Sequence, residues 1–156
     1  MKTHQYNITT TWTGNTGSGT SKYNTYTRDH SVFSEGKLHD ISGSSDPHFL
    51  GNTKRYNPEE LFLASLSSCH MLWYLHLCAT NKIVVTSYSN KAQGLMEEFE
   101  NGSGRFKEVT LFPHVSVQTS EMIEPAKHLH KEANKMCFIA NSCNFKIGHK
   151  PEIMVE

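Results

Sequence analysis

The sequence lacks an excess of charge of either sign, since its 156 residues contain 15 Lys and Arg against 15 Asp and Glu. Proteins that bind nucleic acid or an anionic membrane usually carry a basic excess. The chain also has no internal repeat and no low-complexity tract. We therefore expect no nucleic-acid and no membrane partner. Because its length suits about one domain with its own core, we predict a single domain over residues 1–156.

The sequence also lacks a Cys-x-x-Cys pair and, in its polar N-terminal stretch MKTHQYNITTTWTG, the apolar core of a signal peptide. Without a secretion signal, a structural disulfide framework is not expected. We predict a cytoplasmic protein with free or redox-active thiols. The four cysteines are Cys69, Cys78, Cys137 and Cys143.

The clearest local signal is the start of a helix at Asn57. Asn57 is a good N-cap, Pro58 suits a first helical turn, and Glu60 stands three residues after the cap, as in a capping box. The helix should run to about Thr80, with Asn81 as its stop. Residues 61–80 are apolar enough to consider as a membrane span. Three serines and two histidines lie within them, so we expect a buried core or interface helix instead.

The rest of the chain predicts strands around a second helix. Strands are expected at residues 4–12, 21–33 and 37–41, then at 83–89, 92–99 and 105–119, and finally at 144–147 and 153–155. The second helix should run from Glu124 to Met136, with Pro125 in its first turn. This order indicates an α+β domain. Because the first helix is apolar all round, we also expect it to be covered by a second copy in a homodimer.

Cys69 lies well inside the first helix, where a cysteine is commonly a small packing residue. Its face-neighbours form a mostly apolar surface that would suit an organic molecule with one reactive end. Glu59 precedes it by ten residues, or about 15 Å of helix. That residue can therefore reach a cysteine site only by a bend or from a partner chain. The face-neighbours are Phe62, Ser65, Leu66, Leu72, Trp73 and His76.

Cys137 is expected at the end of the second helix. Two thiols distant in sequence, each on a helix, are compatible with an attacking and a resolving cysteine, although spacing alone does not show it. Cys78 and Cys143 keep the packing interpretation.

The stretch NPEELFLASLSSC, with Gly51 before it and Cys137 in CFIANS 68 residues after its cysteine, resembles the OsmC/Ohr family of hydroperoxide-detoxifying proteins. The resemblance covers most of the chain. It implies an OsmC-like fold with antiparallel sheets, two main helices and an intertwined homodimer whose active sites lie at the interface.

The resemblance also implies a thiol peroxidase of the oxidative stress response. Cys69 would attack the organic hydroperoxide, Cys137 would resolve the sulfenic acid as a disulfide, and Glu59 would be the acidic site residue. An external dithiol, lipoyl-type in the family, would be the reductant. No metal, haem or flavin is expected. The alternative is a non-enzymatic relative that binds a small apolar ligand in the same interfacial pocket.

A thiolate at Cys69 needs a nearby cation, and in the family an arginine held by the glutamate fills that role. In one branch the arginine precedes Phe-x-Gly, a position taken here by His48 in HFLG. The other branch uses an N-terminal arginine, for which Arg28 and Arg55 are candidates. We favour Arg28, because a strand residue is better held than a loop residue. Glu60, Trp73 and His76 are further possible site residues.

Ten histidines raise the question of a metal site, but neither Cys69-His70 nor His128-x-His130 is a usual ligand spacing. We therefore expect most histidines to be surface or packing residues. His76, as a face-neighbour of Cys69, is placed to tune the pocket.

Overall fold

A computed structural model describes residues 1–155 of the chain. They form two compact units, Met1–Leu61 and the part from Phe62 onward. The single domain therefore stays a prediction. The elements are β1 (Thr9–Trp12), β2 (His30–Phe33), β3 (Ile41–Gly43), α1 (Pro58–Thr80), β4 (Val85–Glu98), β5 (Gly104–Val117), α2 (Ile123–Met136), α3 (Phe138–Asn141), β6 (Lys146–His149) and β7 (Glu152–Val155).

The N-terminal unit contains an antiparallel sheet in the order β1-β2-β3. Its strands are shorter than predicted, and residues 21–29 are loop rather than strand. Polar side chains bond the backbone there and replace a strand ladder. The indole nitrogen of Trp12 donates to the Thr27 carbonyl at 2.8 Å, and the Thr16 hydroxyl donates to the Thr25 carbonyl at 2.6 Å. β3 was also misplaced, since it begins where the predicted strand ended.

α1 begins and ends where the sequence predicts. The Glu60 amide donates to the Asn57 side-chain oxygen at 2.8 Å, and the Asn57 amide donates to the Glu60 carboxylate at 3.0 Å. This reciprocal pair is a complete capping box. Gly51 lies just before it, where a Cβ would collide with the Ser45 carbonyl.

The second unit is built on the long antiparallel pair β4–β5, with β6 and β7 both parallel to β5. The predicted break between residues 89 and 92 was wrong, because Asn90 is held inside the ladder. Its side chain accepts from the Phe112 amide at 2.9 Å and donates to Ser67 of α1 at 2.7 Å. The parallel strands follow from the connection after β5, since a parallel neighbour requires a crossover and here α2 and α3 provide it.

Two apolar clusters form the core of this unit. The larger joins α1, α2 and the sheet, and the smaller packs α1 on the middle of β5. A Cβ at Gly94 would lie 2.6 Å from the Phe106 ring, so a larger residue there would force this ring to shift. The larger cluster contains Tyr74, Cys78, Ile83, Val115, Val117, Ala126, Leu129 and Ala133, and the smaller contains Leu66, Val109 and Leu111.

The α+β class with two main helices is confirmed. α1 is less buried than expected, because only one face, Leu66, His70, Tyr74 and Cys78, is fully covered. By length and composition α1 would be able to cross a membrane. Core helices of soluble proteins share the same length and composition, so this property does not indicate a membrane span.

Candidate active site

The two cysteines singled out by the sequence lie together in the second unit. Cys69 is half-buried on α1, and Cys137 is 2% exposed at the end of α2. Their sulfur atoms are 2.7 Å apart, and the Cys137 thiol donates to the sulfur of Cys69. Both are free thiols. The fold therefore places two residues 68 positions apart within reach of disulfide formation.

Cys137 occupies a break between two helices. It is the C-cap of α2 and, with an extended backbone of φ −67° and ψ 112°, the N-cap of α3. Its sulfur accepts from the Ala140 amide at 3.4 Å. Burial, and then the hydrogen bond with Cys69, raise the pKa of Cys137 to about 12. Burial thus disfavours the thiolate of Cys137, and Cys69 is the more exposed residue of the two.

An open apolar groove of about 340 Å³ is lined by residues of α1 and by Phe138, the residue after Cys137. Trp73 lies one turn after Cys69, and Phe138 directly follows Cys137. The Trp73 ring makes edge contacts with His76 and Phe138, each with ring centroids 5.7 Å apart. Leu72 is 63% exposed and Phe138 62% exposed, so the groove is open to an apolar molecule. We call these four residues, Leu72, Trp73, His76 and Phe138, the apolar groove.

Two of the predicted face-neighbours of Cys69 lie elsewhere. Leu66 is part of the smaller core cluster, and Phe62 stacks on Phe106 with ring centroids 4.9 Å apart. These two residues lie on the side of α1 that packs on the sheet, whereas Trp73 and His76 line the open groove.

The three cation candidates all lie in the N-terminal unit, Arg28 and Arg55 in loops and His48 in a short 3-10 helix, Pro47–Phe49. Arg28 was favoured as a strand residue, and that strand placement was wrong because β2 begins only at His30. Arg28 is nevertheless well held. Its guanidinium donates to the Tyr23 and Tyr26 carbonyls and lies 4.3 and 4.2 Å from the centroids of those two rings. Hydrogen bonds and ring stacking, rather than a strand, fix this side chain.

The other two candidates each face a carboxylate. Arg55 pairs with Asp29 at 3.2 Å, which makes it more than a free surface charge. His48 is 90% exposed and contacts Asp46 at 2.7 Å. Hydrogen bonds from the His48 backbone and ring lower the pKa of Asp46.

The two glutamates at the start of α1 differ in their contacts. Glu60 is committed to the capping box, whereas Glu59 is half-buried on the same turn. The acidic site role therefore remains with Glu59 as a prediction, and Glu60 has a structural role.

The structure reveals a buried histidine cluster that the sequence did not predict. His70 and His130 are 1% and 0% exposed, and His149 of β6 lies beside both. The available signal was spacing, since His70, Tyr74 and Cys78 repeat every four residues and His130 stands two turns before Cys137. Within residues 1–155, no three His, Cys, Asp or Glu side chains are grouped to hold a metal ion.

The remaining cysteines have packing environments. Cys78 is 1% exposed in the larger core cluster, and the Cys143 thiol donates to the Ile139 carbonyl at 3.2 Å. Burial raises the pKa of both thiols. Neither has a second thiol at hand comparable to the Cys69–Cys137 contact.

Comparison with known families now adds to this geometry. The model of the family described as OsmC-like protein matches residues 51–151, from the loop before α1 to the end of β6. The chain belongs to the OsmC-like protein family. No curated protein sequence matches this OsmC-like chain closely enough to count as a relative.

Solved structures agree with this OsmC-like assignment. An OsmC-like protein of unknown function from Vibrio cholerae is 28% identical, with a TM-score of 0.85 over 96% of this chain and 100% of the other. An organic hydroperoxide resistance protein from Elizabethkingia anophelis is 24% identical, with a TM-score of 0.67 and full coverage of both chains. One from Legionella pneumophila is 18% identical, with a TM-score of 0.68 over 98% and 100%. The last two, at this identity, show the fold alone.

Proposed function

We propose that this OsmC-like protein is a thiol peroxidase that reduces organic hydroperoxides to alcohols. The contact between the sulfurs of Cys69 and Cys137, at 2.7 Å, is the observation that carries the proposal. Packing alone does not require two cysteines from different helices to meet. A redox cycle does require it, because the sulfenic acid formed on one cysteine must condense with the other.

The reaction balances with these two residues and one external dithiol. The Cys69 thiolate attacks the outer peroxide oxygen, the O–O bond breaks, and the alkoxide takes a proton and leaves as the alcohol. The sulfur then carries a hydroxyl as sulfenic acid. The Cys137 sulfur displaces that oxygen as water and forms the disulfide. A dithiol, which we take to be lipoyl-type, reduces the disulfide by exchange and is itself oxidised.

The preference for organic peroxides rests on the apolar groove. Two of its lining residues, Trp73 and Phe138, stand one helical turn after Cys69 and directly after Cys137, and its volume is about 340 Å³. Hydrogen peroxide would gain nothing from that surface, whereas an alkyl or aryl group would be removed from water there.

Activation of Cys69 requires a cation, and we propose Arg28 held by Glu59, with Arg55 and His48 as the alternatives. Since Glu59 is about 15 Å of helix away from Cys69, a second copy would have to supply it. We accordingly propose a homodimer acting in the cytoplasm. The fixed position of Arg28 between two tyrosine rings supports its selection.

The test is peptide mapping of reduced protein after one equivalent of cumene hydroperoxide. We expect rapid loss of two hydrogens, mapped to a Cys69–Cys137 disulfide, and slower oxidation with hydrogen peroxide. The Cys137→Ser variant should stop at a Cys69 sulfenic acid that a dimedone-type probe traps. Cys78→Ser is the matched control and should oxidise like the wild type.

Slow or scattered oxidation that leaves Cys69 a thiol would refute the peroxidase. It would favour the alternative, a non-enzymatic protein that binds an apolar ligand in the same groove. Equal rates with the two peroxides would refute only the substrate preference. Comparing Arg28→Lys with Arg55→Lys in the same assay identifies the activating cation.

A further inference from the structure

α1 and α2 are connected by a second polar contact besides the two thiols. His70 Nε2 and His130 Nδ1 are 3.0 Å apart, and the planes of the two rings are nearly parallel, at 6°. Both side chains are almost fully buried. A hydrogen bond between neutral rings needs one nitrogen as donor and the other as acceptor, which this distance and burial satisfy.

The histidine contact joins the same two helices as the sulfur contact, next to it on α1 and two turns from it on α2. His70 directly follows Cys69 on α1. His130 precedes Cys137 by seven residues, which is two helical turns and therefore the same side of α2. Each helix thus presents one histidine and one cysteine to the other helix.

We propose that His70 and His130 form a positioning pair, whose hydrogen bond sets the alignment of α1 on α2 that keeps the Cys137 sulfur against Cys69. Neither histidine takes part in the chemistry. The pair raises the effective concentration of one thiol at the other and so favours the Cys69–Cys137 disulfide. The role of this disulfide as the resolving step rests on the proposed function, whereas the alignment of the two thiols is a property of the thiol pair itself.

The surroundings show that this contact is directional rather than loose packing. Tyr74 stacks on the His130 ring at 3.8 Å between centroids, and Tyr88 packs against Tyr74. His149 lies 5.8 Å from His70 and 6.4 Å from His130 between ring centroids. Cys78, one turn beyond Tyr74, is the other titratable group on this side of α1. The His130 ring is therefore held against the Tyr74 ring, and its bond to His70 fixes the distance between the two histidines.

An apolar pair would pack two helices without fixing their register this closely. Burying two imidazoles is unfavourable unless their nitrogens are bonded. Here His70 Nε2 and His130 Nδ1 bond each other, while the second nitrogen of each ring is buried without a partner among the described residues. A hydrogen bond, in contrast, is satisfied over a range of only a few tenths of an ångström. Disulfide formation likewise needs the two sulfurs to be held within a narrow range of distances.

The experiment measures the equilibrium constant of the Cys69–Cys137 disulfide in the full chain against a glutathione redox buffer. The double variant His70→Leu with His130→Leu removes the bond and should lower the constant at least tenfold, about 30 mV in potential. The double variant His70→Gln with His130→Asn places an amide nitrogen and an oxygen near the two original nitrogens. It should stay within threefold of the wild type.

Three controls make the result decisive. His70→Asn, whose side chain is too short to reach His130, replaces the leucine pair if that variant does not fold, and it should show the same tenfold loss. His128→Gln changes an exposed histidine of α2 and should have no effect. Ser87→Ala removes a 2.9 Å hydroxyl bond between β4 and β5 and reports what general destabilisation alone does.

The proposal is overturned if the bond-breaking variants keep the wild-type constant, or if the Gln/Asn pair falls as far as they do. Failure of the proposed function looks different, because the wild type would then form the disulfide with glutathione and remain inert to peroxide. A tenfold loss in the leucine pair with a wild-type result for the Gln/Asn pair establishes the positioning role.

Discussion

One face of α1 is covered by the sheet and α2, while the face beside it is largely open, although both are apolar. The covered face carries Tyr74 and Cys78, which are 0% and 1% exposed. The open face carries Leu72, which is 63% exposed, and continues into the apolar groove. Cys69 lies at the boundary between the two faces.

The difference shows that the apolar character of a helix face does not by itself tell whether that face is packed against the rest of the protein. On the covered face His70 is hydrogen-bonded to His130, although the Tyr74 hydroxyl there is buried without a partner among the described residues. On the open face large apolar side chains meet solvent, and exposed apolar patches of this kind usually mark binding surfaces. The stability of the unit should therefore depend on the first face and its chemistry on the second.

The largest expected effect is a difference in alkylation rate between the two thiols of α1. Reduced protein treated with iodoacetamide should be modified at Cys69 at least about 1,000-fold faster than at Cys78, since Cys78 reacts only when the core opens. Burial also raises the pKa of Cys78 and disfavours its reactive thiolate. Time-resolved peptide mapping measures both rates in one sample. Similar rates would mean that the covered face is open in solution.

Truncations on the two faces sharpen the comparison. Tyr74→Ala removes a fully buried ring and should lower the free energy of unfolding by about 3–5 kcal/mol. Leu72→Ala on the open face should change it by no more than about 0.5 kcal/mol. Urea denaturation gives both values. A large, concentration-dependent loss for Leu72→Ala would instead show that a second copy covers this face.

Acid should weaken the covered face selectively. Burial, with the charge of neighbouring histidines, lowers the pKa of His70 to about 4 and that of His130 to about 3. Between those values and the unfolded pKa of about 6.5, the unfolded chain binds more protons, so stability falls as pH falls. The slope is at most about 1.4 kcal/mol per pH unit for each histidine.

Urea titrations from pH 7 to pH 4 test this dependence. The double variant His70→Gln with His130→Asn should flatten the slope, while His76→Gln on the open face should leave it unchanged. An unchanged slope in the double variant would assign the acid sensitivity to other groups.

The smallest expected effect concerns the start of α1, which both faces share. Asn57→Ala removes the cap that bonds the Glu60 amide and should cost about 1 kcal/mol. Asn57→Ser, which can still cap, should retain most of that stability. Equal losses in the two variants, measured by urea denaturation, would argue against the capping box as the source.

Locally encoded features were predicted well from the sequence. Asn57, Pro58 and Glu60 define the start of α1 through contacts within four residues, and α2 was placed to within one residue. The short strands of the N-terminal unit were overestimated. Thr-rich composition favours strands, but hydroxyl and indole bonds to the loop backbone dominate there.

The site was predictable only in part. The resemblance selected Cys69 and Cys137, and the structure places their sulfurs in contact. The His70–His130 pair was not predicted, because two residues 60 positions apart meet only through the packing of α1 on α2. No local pattern encodes such a contact, and the spacing of His130 from Cys137 gains meaning only once the helices are placed.

The break between α2 and α3 at Cys137 makes α3 a reporter of oxidation. The same sulfur that faces Cys69 also accepts the Ala140 amide and caps this four-residue helix. Once the Cys137 sulfur is bonded covalently to Cys69, its position is fixed by the disulfide, and its hydrogen bond from the Ala140 amide weakens. Oxidation to the proposed disulfide would then loosen the first turn of α3 and reduction would restore it. Amide hydrogen exchange at Ala140 would therefore distinguish the dithiol from the disulfide state without any probe attached to sulfur.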